Sequence, residues 1–215
     1  MQCREKCYKC FRPVSSCMCQ YTQQLDTNTF FVLLMHPKEF QKTKNGTGIL
    51  TSLNLKNSVI FKGIDFTNHE KINQIINDKN NECYLLYPDS NAINISNTNL
   101  PNNYKKKVLF LIDSTWPCSR SILAQSKNLQ TLKKMSFSTS KVSGFKFKTQ
   151  PNSYCLSTIE TTQIILDIFT QQKLENLTNK QLEGFIKPFE KMVEYQTNIA
   201  SNKNNVRYKP PYKKI

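Results

Sequence analysis

Three short runs of the chain, Phe30 to Met35, Glu82 to Tyr87 and Val108 to Ile112, are apolar at nearly every position, and Ser58 to Ile64 is a fourth, interrupted by Lys62 and Gly63. Continuous apolar runs of this length suit strands covered on both faces of a parallel sheet, since a half-exposed strand would alternate. Between and after these runs the period becomes helical. Ile49 to Leu55 carries one such pattern. Thr67 and Glu70 have the spacing of a capping box ahead of Ile72, Ile75 and Ile76, and Arg120 to Leu132 places Ile122, Leu123, Leu129 and Leu132 on one face. Ser157 and Glu160 form a second box before Ile164, Ile165, Ile168 and Phe169, a face that runs to about Lys173. Thr178 and Gln181 open a last helix through Leu182, Phe185 and Ile186, with a bend expected where Pro188 lacks its N–H. Asn91 to Tyr104 is rich in asparagine and reads as a surface excursion, while Lys133 to Gln150 alternates weakly, as an edge strand or a basic aromatic surface would. Strands alternating with helices define an α/β class.

Chemistry-bearing residues gather where the apolar runs stop. Val108 to Ile112 ends in Asp113, Ser114, Thr115 and Trp116, and the carboxyl ends of parallel strands are where ligands sit in open α/β sheets. A plainer reading has Asp113 capping the next helix and Trp116, the only tryptophan, anchoring the core. Phe30 to Met35 stops at His36 and Pro37, followed by Glu39, Lys42, Lys44 and the Asn45-Gly46-Thr47-Gly48 turn. Glycines there let backbone amides approach a ligand, and lysines can meet phosphates, although no Gly-Lys-Ser or Gly-Lys-Thr follows as a P-loop requires.

Cys7, Cys10, Cys17 and Cys19 make a C-x2-C-x6-C-x-C pattern in a segment too short for a core of its own. Two thiolate pairs that close in space would hold a tetrahedral Zn²⁺, and the metal would supply the folding energy. Arg4, Lys6, Lys9 and Arg12, interleaved with Tyr8 and Phe11, make this knuckle either an RNA-contacting surface or solvated charge around a structural metal. The chain divides into a knuckle over 1–24, an α/β domain over 25–200 and a basic tail over 201–215.

Charge narrows the partners. Thirty Lys and Arg against fifteen Asp and Glu leave a formal +15 over 215 residues. That excess favours a polyanion, nucleic acid before membrane, since no apolar run is long enough to span a bilayer. Lys146 and Lys148 beside Phe145 and Phe147, with Lys42, Lys44, Asn45 and Arg120, are the candidate RNA contacts. The N-terminus carries no apolar leader run, so a cytoplasmic location is expected, with thiols kept reduced. Nothing in the pattern demands an obligate protein partner.

Four pieces stand in one order: HPKE to NGTG, LLYPDSNA, DSTW and SYCLSTIE. Together they resemble the DTW-domain family of tRNA-uridine aminocarboxypropyltransferases, whose name reflects the D-x-T-W element found here as Asp113, Thr115 and Trp116, and the four-cysteine knuckle is similar to that of bacterial members. The resemblance spans about Cys7 to Gln196. It implies a SPOUT-like knotted sheet with flanking helices, S-adenosylmethionine as cofactor, and transfer of its 3-amino-3-carboxypropyl group to N3 of a tRNA uridine, with variable-loop and D-loop positions both open and the bacterial-like knuckle favouring the former. Uridine N3 is mostly protonated near neutral pH, so a carboxylate should take its proton, with Asp113 the first candidate, Glu39 the second and His36 an orienting group. Cofactor contacts are expected from Leu86, Tyr87, Pro88, Ser114, Thr115, Trp116, Leu156, Ser157 and Thr158. A SPOUT-like RNA methyltransferase and a non-catalytic zinc-containing RNA-binding protein are the competing classes.

Overall fold

A computed structural model describes residues 5–41, 46–145 and 155–201. Its centre is a six-stranded, wholly parallel sheet. In chain order the elements are β1 (Phe30–Met35), α1 (Pro37–Gln41), α2 (Gly48–Leu53), β2 (Ser58–Lys62), α3 (Glu70–Asn77), β3 (Asn81–Leu86) and β4 (Ile93–Asn94). β5 (Lys106–Asp113), α4 (Trp116–Gln125), α5 (Lys127–Gln130), β6 (Lys133–Ser136), α6 (Thr158–Gln171) and α7 (Asn179–Ser201) follow. The strands lie in the order β2-β1-β5-β3-β6-β4. The apolar runs are explained by burial on both sides. Phe31 and Leu33 of β1, with Leu109 and Leu111 of β5, pack under α2, α6 and α7. Val32 and Leu34, with Val108 and Phe110, face Ile72 of α3, Ile122 of α4 and Leu129 of α5. Among the described residues no helix is long and apolar enough to cross a membrane.

Several local expectations are corrected. The expected Thr67–Glu70 box does not form: α3 starts at Glu70, and His69 caps it by accepting from the Ile72 amide at 3.4 Å. Thr67 instead donates to the Gln125 carbonyl at 3.0 Å, tying this turn to the end of α4. The stretch expected to be one helix from Arg120 begins earlier, at Trp116, and splits at buried Ser126, whose hydroxyl accepts from the Phe66 amide at 3.0 Å. Lys133 to Ser136 is no edge strand, since β6 lies between β3 and the two-residue β4. That outer strand comes from the asparagine-rich excursion, which also buries Ile95 and Leu100. The boxes at Ser157–Glu160 and Thr178–Gln181 both form, and α7 continues through Pro188. Of the expected tail over 201–215, Ser201 is the last residue of α7 and 202–215 lies outside the described residues.

At the amino edge of the sheet, Lys107 and Glu82 form an ion pair of 2.6 Å with side chains 7% and 12% exposed. Burial by itself would raise the Glu82 carboxyl, but Lys107, Tyr84 and Asn103 outweigh it and hold the pKa down to about 2. A carboxyl depressed in the folded state stabilises the fold above its unfolded pKa of about 4.3 and loses that contribution as the pH falls through the folded value. Lys107→Met should therefore cost on the order of 3 kcal/mol at neutral pH by leaving a mostly buried carboxylate to its longer contacts with Lys133 and Asn103, as measured by urea denaturation. The gap from wild type should close as the pH drops from about 4 toward 2.

Candidate active site

The carboxyl ends of β3, β5 and β6 open into one cavity of about 570 Å³. That volume lies within the roughly 300–1,000 Å³ of small-molecule sites. Leu86, Tyr87 and Pro88 wall it where β3 stops, Ile112 and Ser114 at the end of β5, and Met135 and Ser136 at the end of β6. Trp116 and Ser119 of α4, the Phe137 to Thr139 segment, and Cys155, Leu156, Thr158 and Thr161 around the start of α6 complete it. A parallel sheet aims all these strand ends at one edge, so segments distant in sequence meet there.

The walls combine flat apolar surface with a few polar groups. Tyr87 and Trp116 stand edge to face, centroids 6.4 Å apart. Trp116 is 40% exposed and its indole N–H donates to the Cys155 sulfur at 3.3 Å, so it is a cavity wall and not a core anchor. The Ser114 and Ser119 hydroxyls are 2.8 Å apart. At α6 the Ser157 amide and hydroxyl both donate to Glu160 Oε2, at 2.9 and 2.6 Å. Glu160 is more than a cap partner: 1% exposed, it also accepts from the Ser143 hydroxyl at 2.9 Å and the Gly144 amide at 2.7 Å, which pins the segment after β6 to the helix start. The first amides of a helix have no intrahelical acceptor, and α6 presents this end at the cavity through Thr158.

Asp113 lies one layer behind the wall. It does not cap α4, whose N-cap is Thr115; its Oδ1 accepts from the Thr158 hydroxyl at 2.6 Å, and it is 7% exposed. Its other oxygen packs against Gly48, where any Cβ would overlap the carboxylate, so the NGTG turn needs a glycine at this close approach. The His36 amide donates to the Asp113 carbonyl at 3.2 Å, and the His36 carbonyl accepts from the Glu39 amide at 2.9 Å. His36 is buried, with its Nδ1 accepting from the Lys38 amide at 3.1 Å. Asp113, His36 and Glu39 are thus neighbours along the backbone at the adjoining ends of β1 and β5, and of the three Asp113 reaches a cavity residue, through its bond with Thr158.

Of the expected cofactor contacts, Leu86, Tyr87, Pro88, Ser114, Trp116, Leu156 and Thr158 come together on the cavity wall, whereas Thr115 and Ser157 serve as helix caps beside it. Among the candidate RNA contacts, Arg120 is exposed one helical turn after Trp116. Lys42, Lys44, Asn45, Lys146 and Lys148 lie outside the described residues. Sequence reasoning missed Ser119, Cys155, Thr161 and the Phe137 to Thr139 segment; the one available signal was Ser136, a polar residue ending another short strand.

The four expected metal ligands do converge. The sulfurs of Cys7, Cys10, Cys17 and Cys19 all lie within 4.8 Å of one another, with Cys7 to Cys19 and Cys10 to Cys17 at 3.8 Å. A tetrahedron with metal–sulfur bonds of about 2.3 Å has edges of about 3.8 Å, so the donor set fits one soft dication. Backbone amides of Cys10 and Lys9 draw the Cys7 thiol down to about 6, while burial pushes Cys17 and Cys19 up. Arg12 is no surface RNA contact: 2% exposed, it donates to the Gly46 carbonyl at 2.8 Å and to the Met192 sulfur at 3.0 Å. The knuckle is thereby fastened to α7 and to the turn that packs on Asp113.

Comparison with known proteins shows the family. The DTW domain family profile matches residues 4–197. The chain is 29% identical to tRNA-uridine aminocarboxypropyltransferase 2 of Drosophila melanogaster, over 99% of its own length and 86% of that protein's. It is 24% and 23% identical to the proteins of the same name from Mus musculus and Macaca fascicularis, over 90% of this chain and 64% of each relative. No solved structure matches.

Metal analysis of purified protein should find one dication per chain. Cys10→Ser, at the buried member of the cluster, should abolish it and lower the melting temperature, because metal binding here is folding free energy.

Proposed function

The chain belongs to the DTW domain family, and from that premise we propose that it transfers the 3-amino-3-carboxypropyl group of S-adenosylmethionine to N3 of a uridine in tRNA, releasing 5′-methylthioadenosine. The names of the relatives support this reading, as does the +15 charge, which suits a polyanionic substrate. The observation that carries it is the cavity at the carboxyl ends of β3, β5 and β6, where three of the family-like segments, LLYP, DSTW and CLST, meet.

The cavity's residues fit the cofactor. Tyr87 and Trp116 offer flat faces to a heterocycle, and the α6 N-terminus offers amides and a positive dipole end to a carboxylate. When bound, the cofactor supplies a sulfonium-activated carbon with methylthioadenosine as leaving group. The chain's own contribution is to position the uridine and accept its proton. Asp113 serves as the proton acceptor: N3–H gives its proton to the Thr158 oxygen as Thr158 gives its own to Asp113, along the 2.6 Å hydrogen bond. Glu39 and His36 hold the adjoining end of β1 in place, and positioning accounts for much of the remaining rate. We assign the four-cysteine site to a structural Zn²⁺, away from the reacting atoms. A SPOUT-like knotted arrangement is proposed with the activity; the family resemblance and the all-parallel sheet support it.

Incubation of tRNA with cofactor labelled separately in the methyl and the aminocarboxypropyl carbons tests the reaction: label from the second alone should enter tRNA, whereas methyl label in tRNA would assign a methyltransferase. Asp113→Asn and Thr158→Val should keep tRNA affinity and lose transfer by about 10²-fold or more. Full transfer by either variant rejects the relay.

A further inference from the structure

A second concavity, of about 280 Å³, lies where the knuckle meets α1, α2 and β2. It is unlike the cavity described above, being lined by two phenylalanines and two lysines over an aliphatic floor of Ile49, Leu53 and Ile60. Phe11 and Phe40 stand with centroids 5.5 Å apart and rings tilted by 55°. The Lys62 ammonium lies 4.6 Å from the Phe40 centroid, and Lys9 also lines the groove. Phe11 is 41% exposed and its backbone occupies the left-handed region at φ 57°, uncommon and strained for a bulky residue. The fold thus keeps a large aromatic ring at the surface in an unfavourable backbone conformation. β2, which supplies Lys62, is an end strand of the sheet, with no fully buried residue.

Resting on the tRNA reading above, we propose that this groove seats an unpaired nucleotide of the substrate RNA flanking the reacting uridine, its base against Phe11 and Phe40 and its phosphates near Lys9 and Lys62. Aromatic rings with adjacent cations are how single-stranded nucleic acid is held without sequence readout. The placement suits a neighbouring nucleotide. Lys62 pairs in register with Met35, and Met35 with Asp113, so the groove lies along the same carboxyl edge as the cavity. Strands are spaced by about 4.8 Å, which puts the end of β2 roughly 10 Å from the end of β5, a span that one or two nucleotides cover. An apolar peptide would leave both lysines without a counter-charge.

The test is tRNA affinity against salt concentration, with steady-state transfer, for the full chain and for Phe11→Ala and Lys62→Gln. Phe11→Ala should weaken tRNA binding about tenfold and raise the KM for tRNA, with kcat, the KM for S-adenosylmethionine and metal content unchanged. Lys62→Gln, at an exposed strand end, should reduce the salt slope by about one. Wild-type tRNA affinity in Phe11→Ala overturns the proposal. Should that variant lose its metal or misfold, the Lys62→Gln slope decides, and a wild-type slope overturns it. Failure of the underlying activity is distinguishable, because the wild-type protein would then transfer no aminocarboxypropyl label.

Discussion

β5 is hydrogen-bonded to β1 on one side and β3 on the other, and its apolar residues are buried toward both helical layers. Such a strand cannot slip its register without turning Leu109, Phe110 and Leu111 to the wrong layers, since side chains alternate with period two. Where β5 ends is therefore fixed, and so is Asp113. The carboxylate is then shared between two neighbours, accepting from Thr158 at the head of α6 and packing on Gly48 at the head of α2. This one side chain thus touches the heads of two helices, α2 and α6, that are more than a hundred residues apart in sequence.

The knuckle joins the same framework. Arg12 passes from the cysteine loop to the Gly46 carbonyl and the Met192 sulfur, so that loop buttresses the segment that leads to Gly48 and Asp113. On the other side, Glu160 collects hydrogen bonds from Ser157, Ser143 and Gly144 and holds the segment after β6 beside the cavity. Two buried charged side chains, each satisfied by several partners, thus set the two flanks of the carboxyl edge.

The strands were legible because burial on both faces leaves an unambiguous apolar run, and Phe30–Met35 matches its expected bounds. The helix caps at Ser157 and Thr178 were legible because a capping box is a local signal. Thr67 and Glu70 have the same spacing, yet Thr67 is engaged by Gln125, a tertiary contact that no local pattern reveals. β4 was missed because a two-residue edge strand has too few positions to show a period. The cysteine cluster was read from spacing alone, whereas the burial of Arg12 and the placement of Asp113 behind Thr158 depend on segments more than thirty residues apart. The expected cofactor contacts came from resemblance; only the three-dimensional arrangement adds Ser119, Cys155 and Thr161 to the same wall.

Because Trp116 is the only tryptophan and forms part of the cavity wall, its emission reports directly on whether that cavity is where the cofactor binds. Titration with S-adenosylmethionine should give a saturable change in that emission, reversed by excess 5′-methylthioadenosine. Saturable binding by equilibrium dialysis with the tryptophan signal unmoved, or no binding at all, would contradict the account.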